Sequence, residues 1–391
     1  MKKILALVAS AILLTTIFAG IPAQAAPEKI TINVYNWGQY ISDGTDGTID
    51  VNAEFTKRTG IEVNYTTFDS NETMLTKLET GGSSYDIIIP SEYMVERLIA
   101  NDMLEELDFN NIPNYRYIDD QFKNLASDPE NKYSVPYTYG TVGIIYNTKY
   151  VTKPVDSWSI LWDEEYTGKI LTFDNPRDLF SIAQFLLGFN INSTSKQEYE
   201  ACYDKLLEQK HLVKQYVMDQ IFDAMINEAA WLAPYYAGDF LTMKQDNPDL
   251  AFAYPKEGFN YFVDSICIPK GSKNKAAAEA YINFLCDPEI SGKNMDGIGY
   301  ATPISEAKQY LSEEFATSDA VYPTAETLER AQMFKNLDDE SLQMMNDYWS
   351  KLKIGNTSYM KYIIIGVVII AIIIVSVILK KRRSRLYEEK E

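Results

Sequence analysis

The sequence predicts an α/β protein of two lobes, with an export signal at its N-terminus and a membrane-spanning helix at its C-terminus. Three observations predict it. Strand patterns alternate with helical patterns from Ile30 to Leu285. The stretch between the two ends accommodates two lobes of about 120–170 residues each. Both ends carry apolar runs, one of the kind that starts export and one of the kind that stops it.

At the N-terminus Lys2 and Lys3 precede Ile4–Phe18, which is apolar apart from Ser10, Thr15 and Thr16. Ala23-Gln24-Ala25 is a small-residue cleavage site, so residues 1–25 read as a secretory signal and the mature chain as starting at Ala26. No cysteine lies nearby, which separates this signal from that of a lipoprotein.

The elements then follow in order. Ile30, Ile32 and Val34 alternate with polar residues and predict a strand running into Tyr35-Asn36-Trp37. Ile49–Arg58 predicts a helix closed by Gly60, and Ile61–Tyr65 a second strand. Asn71–Thr80 predicts a helix capped by Ser70 or Asn71 and stopped by Gly81-Gly82. Asp86–Ile89 is a short buried strand, and Glu92–Ala100 a helix. After Pro136 come strands at Val142–Tyr146 and Lys169–Phe173, then a helix at Asp178–Leu187. Further strands are predicted at Leu212–Val217, Trp231–Tyr236, Leu250–Tyr254 and Tyr261–Ile268, with helices between several of them. Lys275–Leu285 is a helix. Gly355–Ser358 is a short polar link to Tyr362–Leu379, an uncharged apolar run followed by Lys380, Lys381, Arg382, Arg383 and Arg385. Such a run spans a hydrocarbon core, and the basic cluster keeps the tail cytoplasmic.

Composition narrows the function. The net charge is −19, and residues 26–359 carry 27 basic and 52 acidic side chains. That balance repels nucleic-acid phosphates and favours small cations. One histidine, His211, argues against a histidine-based catalytic triad or a histidine-rich zinc site. Cys202, Cys267 and Cys286 are far apart, with no CxxC pair for metal or redox chemistry. No GxxxxGK[ST] phosphate loop occurs. No cofactor is expected.

Open α/β sheets bind ligands outside the carboxyl ends of their strands. The residues there are aromatic and acidic: Trp37, Tyr40, Ser91, Tyr93, Asp174, Asp178 and Tyr236. Asp264 interrupts the apolar strand Tyr261–Ile268, where a charge is costly unless it is used. Carboxylates with aromatic walls suit an alkylammonium, because aromatic faces attract cations and pack on methylenes. Asp178 also fits a helix-capping role, and Asp174 with Asp178 fits the paired carboxylates of a glycosidase.

Seven ordered landmarks then point to a family: Tyr35–Tyr40, Ser70–Met74, Tyr85–Tyr93, Val135–Gly140, Tyr254–Gly258, Asp264–Pro269 and Ile298–Pro303. From about Ile30 to Leu352 the chain resembles the spermidine/putrescine-binding proteins, the substrate-binding components of polyamine ABC transporters. The resemblance implies a two-lobed periplasmic-binding-protein (Venus-flytrap) fold that closes on ligand by hinge motion. It implies residues 26–138 as the first part of lobe one, 139–263 as lobe two, 264–303 as a return to lobe one and 304–358 as C-terminal helices on lobe two. A transmembrane helix at 360–379 and a basic cytoplasmic tail at 380–391 complete the chain. Carried over by position, Trp37, Tyr40, Tyr93, Tyr236, Phe262 and Tyr300 are aromatic wall residues, Ser91 a polar contact, and Asp178 and Asp264 the acids that bind amino groups. The implied partners are a polyamine, ABC permease subunits with a separate ATPase, and the membrane. The pattern departs at Asn175, where relatives carry an acid and here Asp174 stands beside it, and at Tyr236 and Phe262, where tryptophan is common. The fold also suits a metal ion or a sugar, and a surface hydrolase is the remaining alternative.

Overall fold

The computed structural model describes residues 29–81 and 84–354. The signal segment 1–25, the apolar run 360–379 and the basic tail lie outside the described residues. Among the described residues no helix is long and apolar enough to cross a membrane.

The strands are β1 (Thr31–Trp37), β2 (Glu62–Phe68), β3 (Ile87–Ile88), β4 (Ser134–Asn147), β5 (Ile170–Phe173), β6 (Val213–Val217), β7 (Leu232–Tyr236), β8 (Leu250–Ala253), β9 (Phe259–Cys267) and β10 (Ala331–Gln332). The sheet order is β2-β1-β3-β9-β4-β7-β5-β6, with β10 on β9 and β8 on β4. β1 runs parallel to β2 and β3, and β5 parallel to β6 and β7. These two parallel groups are the sheets of the two lobes. β4 joins them. Its residues Ser134–Thr141 pair antiparallel with β9, and Val142–Asn147 pair with β7 and β8.

The sequence predicts only Val142–Tyr146 of β4, because Pro136 and Gly140 read as breaks. The strand absorbs Pro136 at a register shift between Pro136 and Thr138, where a missing N–H leaves no gap in the ladder. The helices are set by local chemistry. Asp50 caps Val51–Thr59, accepting from the Ala53 N–H at 2.8 Å. Ser70 and Thr73 form a reciprocal capping box on Asn71–Glu79. The helices Glu92–Ala100 and Lys275–Leu285 match their expected bounds.

Both faces of the sheet are covered. Ile87 and Ile89 join one apolar cluster with Ile32, Val34, Val51 and Phe55, while Ile88 joins the other. Two-sided burial is why this strand reads as an unbroken apolar run. The last helix, Asp339–Ile354, lies on the helix Lys196–Gln209. There Tyr348 stacks near Tyr203 and donates to Glu200 at 3.1 Å.

Candidate functional site

A cavity partly open to solvent lies at the carboxyl ends of the parallel strands, and residues of both lobes line it. Asp178 enters from the helix Pro176–Leu187. Asn175 caps that helix, accepting from the Asp178 N–H at 3.2 Å, and Pro176 opens its first turn. With the cap supplied by Asn175, the Asp178 carboxylate is free for the cavity. Its Oδ2 accepts from the Tyr236 hydroxyl at 2.9 Å and from the Asn175 amide. Burial pushes Asp178 up to about 7, with the Tyr236 hydroxyl pulling the other way.

Asp264 enters from β9 and is 3% exposed. Its Oδ2 accepts from the Tyr40 hydroxyl at 2.6 Å, and Tyr40 also bonds Thr138. Its Oδ1 is buried and has no hydrogen-bond partner among the described residues. Burial pushes Asp264 up to about 6, moderated by the Tyr40 hydroxyl and then by that of Ser91. Behind it, Glu92 is buried with one oxygen on the Val263 N–H, and burial together with the Asp264 charge pushes it up to about 8. An unpartnered buried acceptor costs roughly 1–3 kcal/mol, so Asp264 is built to gain from an incoming cation.

The walls are held in place by hydrogen bonds and ring contacts. The Trp37 indole N–H donates to the Ile89 carbonyl at 2.8 Å. Tyr93 donates to Glu72 and accepts from Asn71, each at 3.0 Å, and the same Asn71 amide donates to Ser91 at 3.1 Å. Tyr300 meets Tyr40 edge-on with centroids 4.7 Å apart, and Phe262 meets Tyr236 edge-on at 5.6 Å. Gly238 makes room for Tyr300: a Cβ there would fall 2.7 Å from its ring. The cavity is therefore a ring-walled trough with separate carboxylates, suited to ammonium groups joined by methylenes.

The description "bacterial extracellular solute-binding protein" fits a family match over residues 51–324. The spermidine/putrescine-binding periplasmic protein of Escherichia coli (strain K12) is 34% identical over 338 residues, 86% of this chain and 95% of that one. The chain belongs to the spermidine/putrescine-binding family of bacterial extracellular solute-binding proteins. Among solved structures, a Listeria monocytogenes chain described as a spermidine/putrescine ABC transporter is 37% identical with a TM-score of 0.79, covering 83% of this chain and 98% of that one. PotD from Streptococcus pneumoniae strain Canada MDR_19A, in complex with calcium and HEPES, is 36% identical with a TM-score of 0.70, covering 83% and 99%. The two-lobed α/β fold is shared with these proteins. A solute-binding protein of this family is a receptor and not an enzyme.

In this solute-binding protein nine of the ten sequence-selected residues line the cavity: Trp37, Tyr40, Ser91, Tyr93, Asp178, Tyr236, Phe262, Asp264 and Tyr300. Asp174 does not. It lies at the end of β5, on the far side of the Asn175 cap, where it forms an exposed ion pair with Lys353. Only three residues of sequence separate Asp174 from Asp178, but strand end and helix turn send them to different places, so they form no acid/base pair. Asp174→Asn is expected to leave ligand affinity within about twofold, since exposed ion pairs are worth little. Calorimetric titration of the variant checks this.

Sequence reasoning missed Asp69, Asp219, Asp239 and Arg177, all on the cavity wall. Asp239, in the first turn of the helix Ala237–Asp246, is buried and pushed up to about 8 by that burial. Arg177 is the one basic side chain on the wall among the described residues. Its guanidinium lies over Phe334 at 4.4 Å and Tyr93 at 5.1 Å, and donates to the Lys335 carbonyl at 3.1 Å. Among the described residues no three His, Cys, Asp or Glu side chains gather as a metal site.

Proposed function

We propose that the protein is an extracytoplasmic polyamine receptor that delivers its ligand to an ABC permease powered by a separate ATPase chain. One observation carries the reading: Asp264 is buried among tyrosine and phenylalanine rings with one carboxylate oxygen paired to Tyr40 and the other unpartnered among the described residues. An ammonium supplies that partner. Asp178 supplies a second anionic end, held by Tyr236 and the helix start. Two departures favour the diamine putrescine over the triamine spermidine. Asn175 is neutral where the family resemblance implies an acid, and the Arg177 guanidinium on the neighbouring wall repels a third ammonium. The run Tyr362–Leu379 with its basic tail tethers the receptor to the membrane, in keeping with its length, its lack of charge and the five basic residues that follow.

Residues 26–358 titrated by calorimetry with putrescine, cadaverine, spermidine and spermine test the reading, with glucose and sulfate as controls. Micromolar or tighter binding of putrescine, about −8 kcal/mol, with spermidine weaker, is the expected result. A folded, ligand-free sample that binds no amine overturns the receptor assignment. Preferential binding of spermidine overturns the diamine preference alone.

A further inference from the structure

The segment Met333–Asp339 leads from β10 into the last helix and touches both lobes. The second lobe carries it. Asn192 holds its backbone on both sides, donating to the Met333 carbonyl and accepting from the Lys335 N–H, each at 2.8 Å. Arg177 donates to the Lys335 carbonyl at 3.1 Å and lies over the Phe334 ring at 4.4 Å. Asp338 supplies the start of the last helix, accepting from the Ser341 N–H at 2.8 Å, so the next acid, Asp339, is not needed there.

Against the segment stands the helix Glu92–Ala100 of the first lobe, which follows β3. Positions 93, 96 and 97 share one face of that helix, being spaced i, i+3 and i+4. That face meets the segment. The Tyr93 ring meets Phe334 edge-on with centroids 5.8 Å apart. Glu96 Oε2 accepts from the Asn336 N–H at 3.0 Å, and the Arg97 guanidinium donates to Asp339 Oδ1 at 2.8 Å. One end of this seam is the cavity wall, where Tyr93, Arg177 and Phe334 stand. The other end is at the surface, where the Asp339 side chain is 90% exposed, and Glu96, Arg97, Asn336 and Asp339 lie off the cavity lining. Each polar pair has one member in each lobe, so neither serves the fold of a single lobe.

We propose that Met333–Asp339 is a clasp, carried by the second lobe, that docks on the 93/96/97 face of the first when the lobes close and so sets how long the ligand is held. The inference rests on the receptor reading and adds to it the device that holds the closed form. Opening of the cleft carries the helix Glu92–Ala100 away from the segment and breaks the Glu96–Asn336 and Arg97–Asp339 bonds. Their free energy therefore counts toward the closed state alone. A weaker clasp shortens residence without altering any contact to the ligand.

The test is a charge exchange across the seam in the full chain, with putrescine titrated by calorimetry and its release followed by stopped-flow tryptophan fluorescence. Asp339→Arg sets like charges against each other and is expected to weaken binding about fivefold, the scale of a reversed exposed ion pair. The loss falls on release, with association unchanged. Arg97→Glu is expected to match it. The exchange of both, Arg97→Glu with Asp339→Arg, restores affinity to within about twofold. The exposure of Asp339 keeps its variant folded whatever Arg97→Glu does. Wild-type affinity in Asp339→Arg overturns the proposal. So does an exchange that carries the product of the single losses, and so does a loss confined to association, which is what altered steering of a cation by surface charge gives. A wild-type chain that binds no polyamine overturns the receptor reading and the clasp with it, a result separate from the other three.

Discussion

Asp264→Asn raises the dissociation constant for putrescine by about 100-fold or more, while the ligand-free protein melts at the same temperature or higher. Both halves follow from one geometry. The Tyr40 hydroxyl holds Oδ2, and Oδ1 is buried without a partner among the described residues. An ammonium docked there is a desolvated ion pair, and removing one member of such a pair costs roughly 3–5 kcal/mol, or about two to four powers of ten in affinity. The amide of asparagine also presents N–H donors toward the ligand's own donors. In the ligand-free protein the charge is a burden, since burial lifts Asp264 to about 6 and the ionised form at neutral pH is disfavoured. The neutral amide removes that burden and keeps the Tyr40 bond. Calorimetry and thermal unfolding on the same sample check the pair of outcomes. An unchanged affinity removes Asp264 from the site.

Binding tightens as pH rises from about 5.5 to about 7.5, by roughly tenfold or more, and releases protons into the buffer. In the ligand-free protein burial raises Asp264 to about 6, Asp178 to about 7 and Asp239 to about 8. These carboxyls are partly protonated across that window. A neighbouring ammonium favours the ionised form and pulls each value down, so the complex holds fewer protons than the free protein. Each proton released makes the affinity rise about tenfold per pH unit until the free-form value is passed. The gain levels off above about pH 8, and reverses only where alkylamines lose their own protons, near pH 10. The stability of the ligand-free protein runs the other way. A carboxyl raised by burial costs nothing below its unfolded value and its full penalty above its folded one, so the free protein is more stable at about pH 5 than at about pH 8. Titrations in buffers of different ionisation enthalpy measure the proton count. A flat affinity profile would show that these carboxylates are already charged in the free protein.

Most strands and helices were legible because their signals are local. Alternation marked β1 and β2, and caps marked the helices after Asp50 and Ser70. Trp37, Tyr40, Ser91, Tyr93, Asp264 and Tyr300 were legible because the family landmarks carry them, Asp178, Tyr236 and Phe262 because the wider resemblance aligns them, and Asp264 also because a charge within an apolar strand is too costly to keep unless something binds to it. Asp174 was selected as an acid at a strand end, where the structure has it, but a strand end does not fix which way the side chain turns, and it pairs with Lys353 away from the cavity lining. Arg177 looked like an ordinary base in a first helical turn. Only the packing of Tyr93 and Phe334 around it, 84 and 157 positions away, makes it part of the wall. Asp69, Asp219 and Asp239 sit on separate segments and share no motif. Their convergence is a property of the tertiary fold.

The pairing of β9 with β3 and β4 also sets a timetable for the newborn chain. The ribosome delivers β1, β2 and β3 within the first 88 residues, but the neighbour that completes β3 on its other side, Cys267 in β9, follows about 180 residues later. The first lobe cannot finish its sheet until most of the second has been synthesised, and the second shares β4 with it. Neither lobe is a continuous piece of chain that can fold and wait for the other. A polypeptide wired in this way stays open and threadable for most of its synthesis, the condition a secreted protein must meet to pass through a narrow channel before it folds.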